Sequence, residues 1–239
     1  MRFTVLTYNL LYNTAATYVE EVLVKHSPDI IFFQEILTDE QSLEQITRLG
    51  YRLADFSNSF IRGSRIFGVA TFYKPSRVSL ANSEIFSLPS SLYQFLTYIV
   101  NNKRYPRTVL KNEFIVKENG HKVTTYNIHL TPVATNGLRM KQIYNTFSDL
   151  DLSSRDPVLI AGDFNYPYGR RRFESMIADY GLKEATNNVY FTHERRILGL
   201  FSIRLKLDYI LYKNMEVVSN TKIELKHSDH YPILSVFSF

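Results

Sequence analysis

The sequence predicts an α/β architecture in which β-sheets are flanked by helices. Three observations carry that expectation. Apolar runs of strand length alternate with amphipathic stretches of helix length along the chain. Hairpin signals are too frequent for a purely parallel sheet. The 239 residues, 45% hydrophobic and 21% charged, have the balance of a globular protein with room for a substantial core. No repeat, low-complexity tract or Pro/Gly-rich linker interrupts them, so one domain over residues 1–239 is expected.

The elements follow in order. Phe3–Leu10 alternates like a strand. Thr14–His26 reads as a helix with Val19, Val22 and Leu23 on one face, and Pro28 stops it. Asp29–Gln34 is a short continuous apolar run, hence a buried strand. Thr38-Asp39-Glu40-Gln41 has capping-box spacing and opens a helix that Gly50 closes. Strands are expected at Phe67–Tyr73, Val78–Phe86 and Thr108–Lys117. An Asn119-Gly120 turn joins the last of these to Lys122–His129. Leu88–Val100, with Leu92, Phe95, Leu96, Ile99 and Val100, reads as an amphipathic helix packed on the body. Helices over Leu138–Leu150 and Arg172–Tyr180 and strands at Pro157–Ala161, Leu207–Tyr212 and Pro232–Phe237 complete the pattern.

The absence of cysteine excludes disulfide scaffolds, thiolate metal sites and cysteine nucleophiles together. The net charge is +5, and it is unevenly spread: residues 61–122 hold ten basic and three acidic side chains, residues 1–60 four and eight. Such an excess is compatible with a polyanionic partner. The N-terminus has one basic residue and then alternates, without the apolar core of a secretory signal. No apolar run approaches the roughly 18 residues of a membrane span. A cytoplasmic protein without an integral membrane segment is the expectation.

Buried strands here repeatedly end in one polar group. These are Asn9, Glu35 after Gln34, His129, Asp163 with Asn165 beyond it, and Asp208, and Ser228-Asp229-His230 precedes the last strand. Taken singly, each has a structural explanation as a turn residue or a paired carboxylate. Together they read as a carboxylate–amide–imidazole cluster, because such groups are costly to bury without partners. Oxygen donors without thiolates suit a hard cation such as Mg²⁺, and imidazoles beside it suit proton transfer or oxyanion stabilisation.

The series Thr7-Tyr8-Asn9-Leu10, Phe33-Gln34-Glu35, Asn127-Ile128-His129-Leu130, Gly162-Asp163-Phe164-Asn165, Leu207-Asp208-Tyr209 and Ser228-Asp229-His230-Tyr231-Pro232 resembles the endonuclease/exonuclease/phosphatase superfamily, in that family's order. The resemblance implies a four-layer sandwich of two packed mixed β-sheets flanked by helices. It also implies roles. Glu35 matches the principal Mg²⁺ ligand, with Asn9 beside it as ligand or phosphate contact, and Asp229 supports the metal region. Asp163 and Asn165 match the pair that positions and deprotonates the attacking water. His129 matches the histidine that contacts the scissile phosphate, and Asp208 the carboxylate that orients His230. Arg107 stands about where a phosphate-binding arginine is found in deoxyribonuclease I-like members. Asn127, in the same motif as His129, is counted with the phosphate contacts.

The implied activity is divalent-metal-dependent phosphodiester hydrolysis with Mg²⁺, for which Mn²⁺ can substitute. The Asn-x-His-Leu motif leans towards the deoxyribonuclease I, sphingomyelinase and deadenylase branches. The basic segments favour a nucleic-acid substrate, with a lipid or small-molecule phosphodiesterase or phosphatase as the alternative and a non-catalytic scaffold ranked below both. Aromatics interleaved with arginines in Tyr166-Pro167-Tyr168-Gly169-Arg170-Arg171-Arg172 border the site mouth, which makes Arg170 and Arg171 further phosphate-contact candidates. Arg195–Arg204, apolar between arginines, is open to three readings: core with basic ends, a groove-inserting loop, or a membrane-surface element. No obligate protein partner is evident, and a monomer is expected.

Overall fold

The computed structural model describes residues 2–90, 107–197 and 201–239. Two six-stranded mixed sheets pack face to face. The first has the order β13-β14-β1-β2-β4-β3, formed by β1 (Arg2–Asn9), β2 (Ile30–Leu37), β3 (Arg52–Arg62), β4 (Arg65–Tyr73), β13 (Glu216–Lys222) and β14 (Ile233–Ser238). The second runs β5-β6-β7-β8-β12-β9. Its strands are β5 (Val78–Ser87), β6 (Thr108–Val116), β7 (Lys122–His129), β8 (Val158–Asp163), β9 (Lys183–Glu184) and β12 (Asp208–Lys213). Each sheet has a central parallel pair, β1 with β2 and β7 with β8, and every other pairing is antiparallel. A separate hairpin, β10 (His193–Ile197) with β11 (Phe201–Leu205), forms its own two-stranded sheet.

Period-two alternation makes three apolar layers. Phe3, Val5, Ile30, Phe32, Leu159 and Ile210 fill the space between the sheets. Their neighbours Leu6, Tyr8, Ile31 and Phe33 face outward and are covered by α1 (Val19–His26) and α2 (Glu40–Thr47). On the other side, Tyr126, Ile128, Ile160 and Leu211 meet α3 (Asn136–Phe147) and α4 (Arg170–Asp179). This is the expected four-layer sandwich.

Several boundaries differ from the sequence expectation for physical reasons. The first helix begins as a 3-10 turn at Ala16–Tyr18 and becomes α-helical only at Val19. Asp39, not Thr38, caps α2, accepting from the Ser42 backbone N–H at 2.8 Å. The Thr38 hydroxyl is instead bonded to Asn58 at 2.7 Å. Edge strands β3 and β13 were not foreseen, because half-exposed edges mix polar and apolar residues without clean alternation. The Arg195–Arg204 stretch is not core: it forms the β10–β11 hairpin, with Phe201 58% and Ile203 41% exposed. Most of the Leu88–Val100 helix expectation lies outside the described residues.

A polar tie joins the two sheets below their open end. Gln34 Nε2 donates to Asn127 Oδ1 at 2.8 Å, and Asn127 Nδ2 donates to the Ala70 carbonyl at 3.0 Å and the Phe33 carbonyl at 3.3 Å. Both side chains are fully buried. The assignment of Asn127 as a phosphate contact is therefore corrected: its amide is saturated between the sheets and cannot reach a ligand. Asn127→Leu should remove the bond to Gln34 and the bonds to the Ala70 and Phe33 carbonyls, and lower unfolding free energy by about 2–3 kcal/mol, read as a shift in the urea midpoint.

Candidate active site

The interlayer row that is apolar along most of its length ends in polar groups. β1, β2, β7, β8 and β12 send Asn9, Gln34, His129, Asp163 and Asp208 into the same layer, at one end of the sandwich. Asp163 is the hub. It lies opposite His129 across the parallel pair and opposite Asp208 across the antiparallel one. Gly162 permits this packing, since a Cβ there would lie 2.0 Å from the Ile128 carbonyl oxygen, at a φ of +139°.

Glu35 reaches the site by breaking the alternation. Gln34 faces the interlayer, so Glu35 would otherwise face α1 and α2. A bulge between Gln34 and Ile36, with Glu35 in the left-handed region at φ +55°, re-aims its carboxylate. Glu35 Oε2 then accepts from the Tyr12 backbone N–H at 3.1 Å, and Oε1 from Asn9 Nδ2 at 3.4 Å. Asn9 Nδ2 also donates to Asp163 Oδ2 at 3.0 Å, while the Asn165 backbone N–H donates to Asp163 Oδ1 at 2.9 Å. The Asn165 amide bonds the Leu130 carbonyl at 3.2 Å, which fixes the turn after β8.

The two histidines are held in opposite proton states. Arg107 has no acceptor, so its 2.9 Å bond to His129 Nδ1 requires that nitrogen to accept. The His129 proton then sits on Nε2, which is buried without a partner and lies 3.6 Å from both Glu35 Oε1 and Asp163 Oδ2. Burial, with the charges of Arg107 and His230, pushes the His129 pKa well below its usual value and keeps the ring neutral. For His230, burial also opposes charge, but Asp208 and Asp163 outweigh it and hold the imidazolium well above its ordinary range. Its Nδ1 is bonded to Asp208 Oδ2 at 2.8 Å, leaving Nε2 3.8 Å from Asp163 Oδ2. Burial raises the Asp163 pKa, partly offset by His230.

The closing Ser-Asp-His turn is pinned to β1: Ser228 Oγ donates to the Asn9 carbonyl at 2.9 Å and accepts from the His230 N–H at 3.1 Å. Two supporting residues escaped the sequence reading. Thr192 Oγ1 accepts from the N–H groups of Leu207 and Asp208, each at 2.9 Å, and so sets the start of β12. His193 Nε2 lies 3.3 Å from Asp229 Oδ2, and its ring meets His230 edge-on at 4.8 Å. Neither belongs to a strand-end pattern, so a single sequence carries no signal for them.

The remaining candidates divide. Arg107 is at the centre, beside His129. Arg170 is not available to a phosphate: it is ion-paired to Glu174 at 2.7 Å and to Glu184, which Lys206 also meets at 2.6 Å. Burial works against ionising Glu184, but Arg170 and Lys206 prevail and hold its carboxyl below the usual range. The arginine at the α4 N-terminus thus answers a buried carboxylate. Arg171 is exposed on the first turn of α4 and joins no part of the cluster.

A family model described as the Endonuclease/Exonuclease/phosphatase family matches residues 6–230. The chain belongs to that family. Its members generally hydrolyse phosphoester bonds. UPF0294 proteins of Yersinia pseudotuberculosis and Yersinia pestis are each 28% identical over 121 residues, 49% of this chain and 44% of theirs, so the match spans under half the length of these curated relatives. Among solved structures, the human Nocturnin catalytic domain with bound sulfate has a TM-score of 0.78 at 18% identity, covering 100% of this chain and 94% of that one. The D. rerio TDP2 complex with single-strand DNA product has a TM-score of 0.73 at 15% identity, covering 100% and 99%. The Bacteroides thetaiotaomicron mannosyl-6-phosphatase Bt3783 has 0.74 at 15%, covering 99% and 100%. These likenesses are of fold.

Members of this family are typically divalent-metal dependent, and the donor set here fits a hard cation. Asp229 Oδ1 and Asp208 Oδ1 are buried without partners, and burial raises the pKa of Glu35, which a bound cation would relieve. Among the described residues, the tight donor clusters are His193–Asp229–His230 and Asp163–Asp208–His230, and Glu35 flanks them across His129. Thr192→Val should leave two buried N–H groups unpaired, cost about 2 kcal/mol in stability and lower kcat/KM for phosphoester hydrolysis about 10–100-fold, measured by urea unfolding and initial rates.

Proposed function

We propose that this protein is a divalent-metal-dependent phosphodiester hydrolase, a nuclease acting on DNA or RNA by water attack on phosphorus. The observation that carries the reading is the convergence of a neutral donor, a cationic donor and a buried carboxylate on one point. His129 Nε2 and His230 Nε2 lie 3.6 and 3.8 Å from Asp163 Oδ2. That set matches the charge changes of phosphoester hydrolysis.

Asp163 accepts the proton of the attacking water as the new P–O bond forms, and its raised pKa makes it a better base than a solvated aspartate. His129 Nε2–H donates to a non-bridging oxygen. His230 supplies its proton to the leaving oxygen as that P–O bond breaks, and Asp208 holds the ring in register. Glu35 and Asp229, with Asn9, would hold Mg²⁺ or Mn²⁺, which would neutralise charge on the phosphoryl and leaving oxygens. Arg107 at the centre and the basic excess of residues 61–122 support a polynucleotide substrate. Exposed Phe201 and Ile203 on the β10–β11 hairpin favour a second reading, hydrolysis at a lipid surface.

His230→Ala and Asp163→Asn should each lower turnover of bis(p-nitrophenyl) phosphate at least ~10²–10³-fold, with circular dichroism unchanged. Retained turnover in either variant would sink the site assignment. Chelation with EDTA should abolish activity, and Mg²⁺ or Mn²⁺ should restore it in the wild type but far less in Glu35→Gln. A panel of plasmid DNA, single-stranded RNA, sphingomyelin and inositol phosphates separates the substrate classes, and cleavage of sphingomyelin without nucleic acid would favour the lipid reading.

A further inference from the structure

A groove of about 450 Å³ borders the catalytic cluster, with Ser228 and Asp229 in its lining. Tyr12 and Arg62, with Arg195 and Arg196 of β10, are among its lining residues. Its volume lies in the ~300–1,000 Å³ range of ligand clefts. Three arginines lining one groove repel one another unless an anion or a carboxylate stands between them. Two carboxylates, Glu194 and Asp229, line the groove as well. Glu194, which lines the same groove, is committed to Arg204 at 2.9 Å and to the Tyr231 hydroxyl at 2.6 Å. Asp229 is engaged by His193. Among the described residues, none of Arg62, Arg195 and Arg196 has an ion-pair partner, and all three are exposed.

The groove also offers a stacking platform. The Arg62 guanidinium lies 3.8 Å over the Tyr12 ring, and Tyr12 in turn meets the edges of Phe60 and Phe67 with centroids at 5.9 Å. The platform is braced from below, because the Tyr12 backbone N–H is bonded to Glu35. A guanidinium plane so fixed can stack an unpaired base, while the groove's other arginines take the neighbouring phosphates. In a duplex the bases stack on each other and present no ring to such a platform.

We propose that this groove is a strand-binding subsite for single-stranded nucleic acid. It seats one nucleotide next to the scissile phosphate, with its base on the Arg62–Tyr12 stack and its backbone against Arg195 and Arg196. The inference rests on the nuclease reading above and narrows it to unpaired strands.

The test uses wild type, Arg195→Ala/Arg196→Ala and Arg62→Ala, with thermal unfolding confirming that each folds. Rates are measured on a fluorescent single-stranded oligonucleotide, on the same sequence as a duplex, and on bis(p-nitrophenyl) phosphate. Binding of the single strand is followed by anisotropy against salt in an Asp163→Asn background. The subsite predicts that wild type prefers the single strand. The double variant should lower the ratio of oligonucleotide to bis(p-nitrophenyl) phosphate kcat/KM by about tenfold or more. It should also flatten the log–log salt slope by about 0.7 per arginine removed. Arg62→Ala should reduce the same ratio with a smaller change in slope than the double variant. An unchanged ratio and slope, or preference for duplex, overturns the subsite. So does arginine-dependent binding to phosphatidylserine vesicles without any effect on the oligonucleotide, which would give the hairpin to a lipid surface. Strong, arginine-dependent binding of the single strand without cleavage defeats the nuclease reading alone.

Discussion

Burying the Asp163 carboxylate at the end of a sheet-on-sheet core is the constraint on which the rest of the site depends. A charge there is costly unless every oxygen is engaged, and the strands around it are arranged to do so. Asn9 and the Asn165 backbone N–H bind its oxygens directly, and His129, His230 and Asp208 arrive from neighbouring strands and the loop before β14. The same period-two alternation that makes the interlayer apolar along most of its length delivers these polar groups where the apolar row stops. Core and site are one layer.

The two imidazoles show how local partners divide chemical roles. His129 and His230 are both buried in the same cluster, yet Arg107 bonds one and Asp208 the other. A cation on Nδ1 enforces a neutral ring with its proton aimed at the centre. An anion on Nδ1 enforces a charged ring able to give its proton away. The division needs no difference in burial, only in the sign of the neighbour.

Much of this was legible in the sequence because strand ends are local. Asn9, His129 and Asp163 each close a buried apolar run and Asp208 opens one, and their identities are read directly. The arginines were not legible in this way. Arg170 and Arg171 sit two strides beyond Asn165, in a segment that read as a site mouth, but Glu184 lies 14 residues downstream and draws Arg170 into a structural pair. Asn127 carries a site-like motif position and serves as a tie between sheets, since its side chain falls one alternation before His129 and meets Gln34 instead of the opening. Thr192 and His193 act through β12 and Asp229, contacts that exist only after the chain has closed on itself.

The sequence by itself determined the α/β layering, the cysteine-free oxygen and imidazole chemistry, and the order of polar strand ends that marks the family. Tertiary structure decided which of those groups meet. It turned Glu35 towards the site through a bulge, assigned opposite proton states to His129 and His230, and set Arg195 and Arg196 on a hairpin that lines one groove with Arg62. Each of these depends on partners distant in the chain, and a side chain's charge state and direction are set by what surrounds it in space.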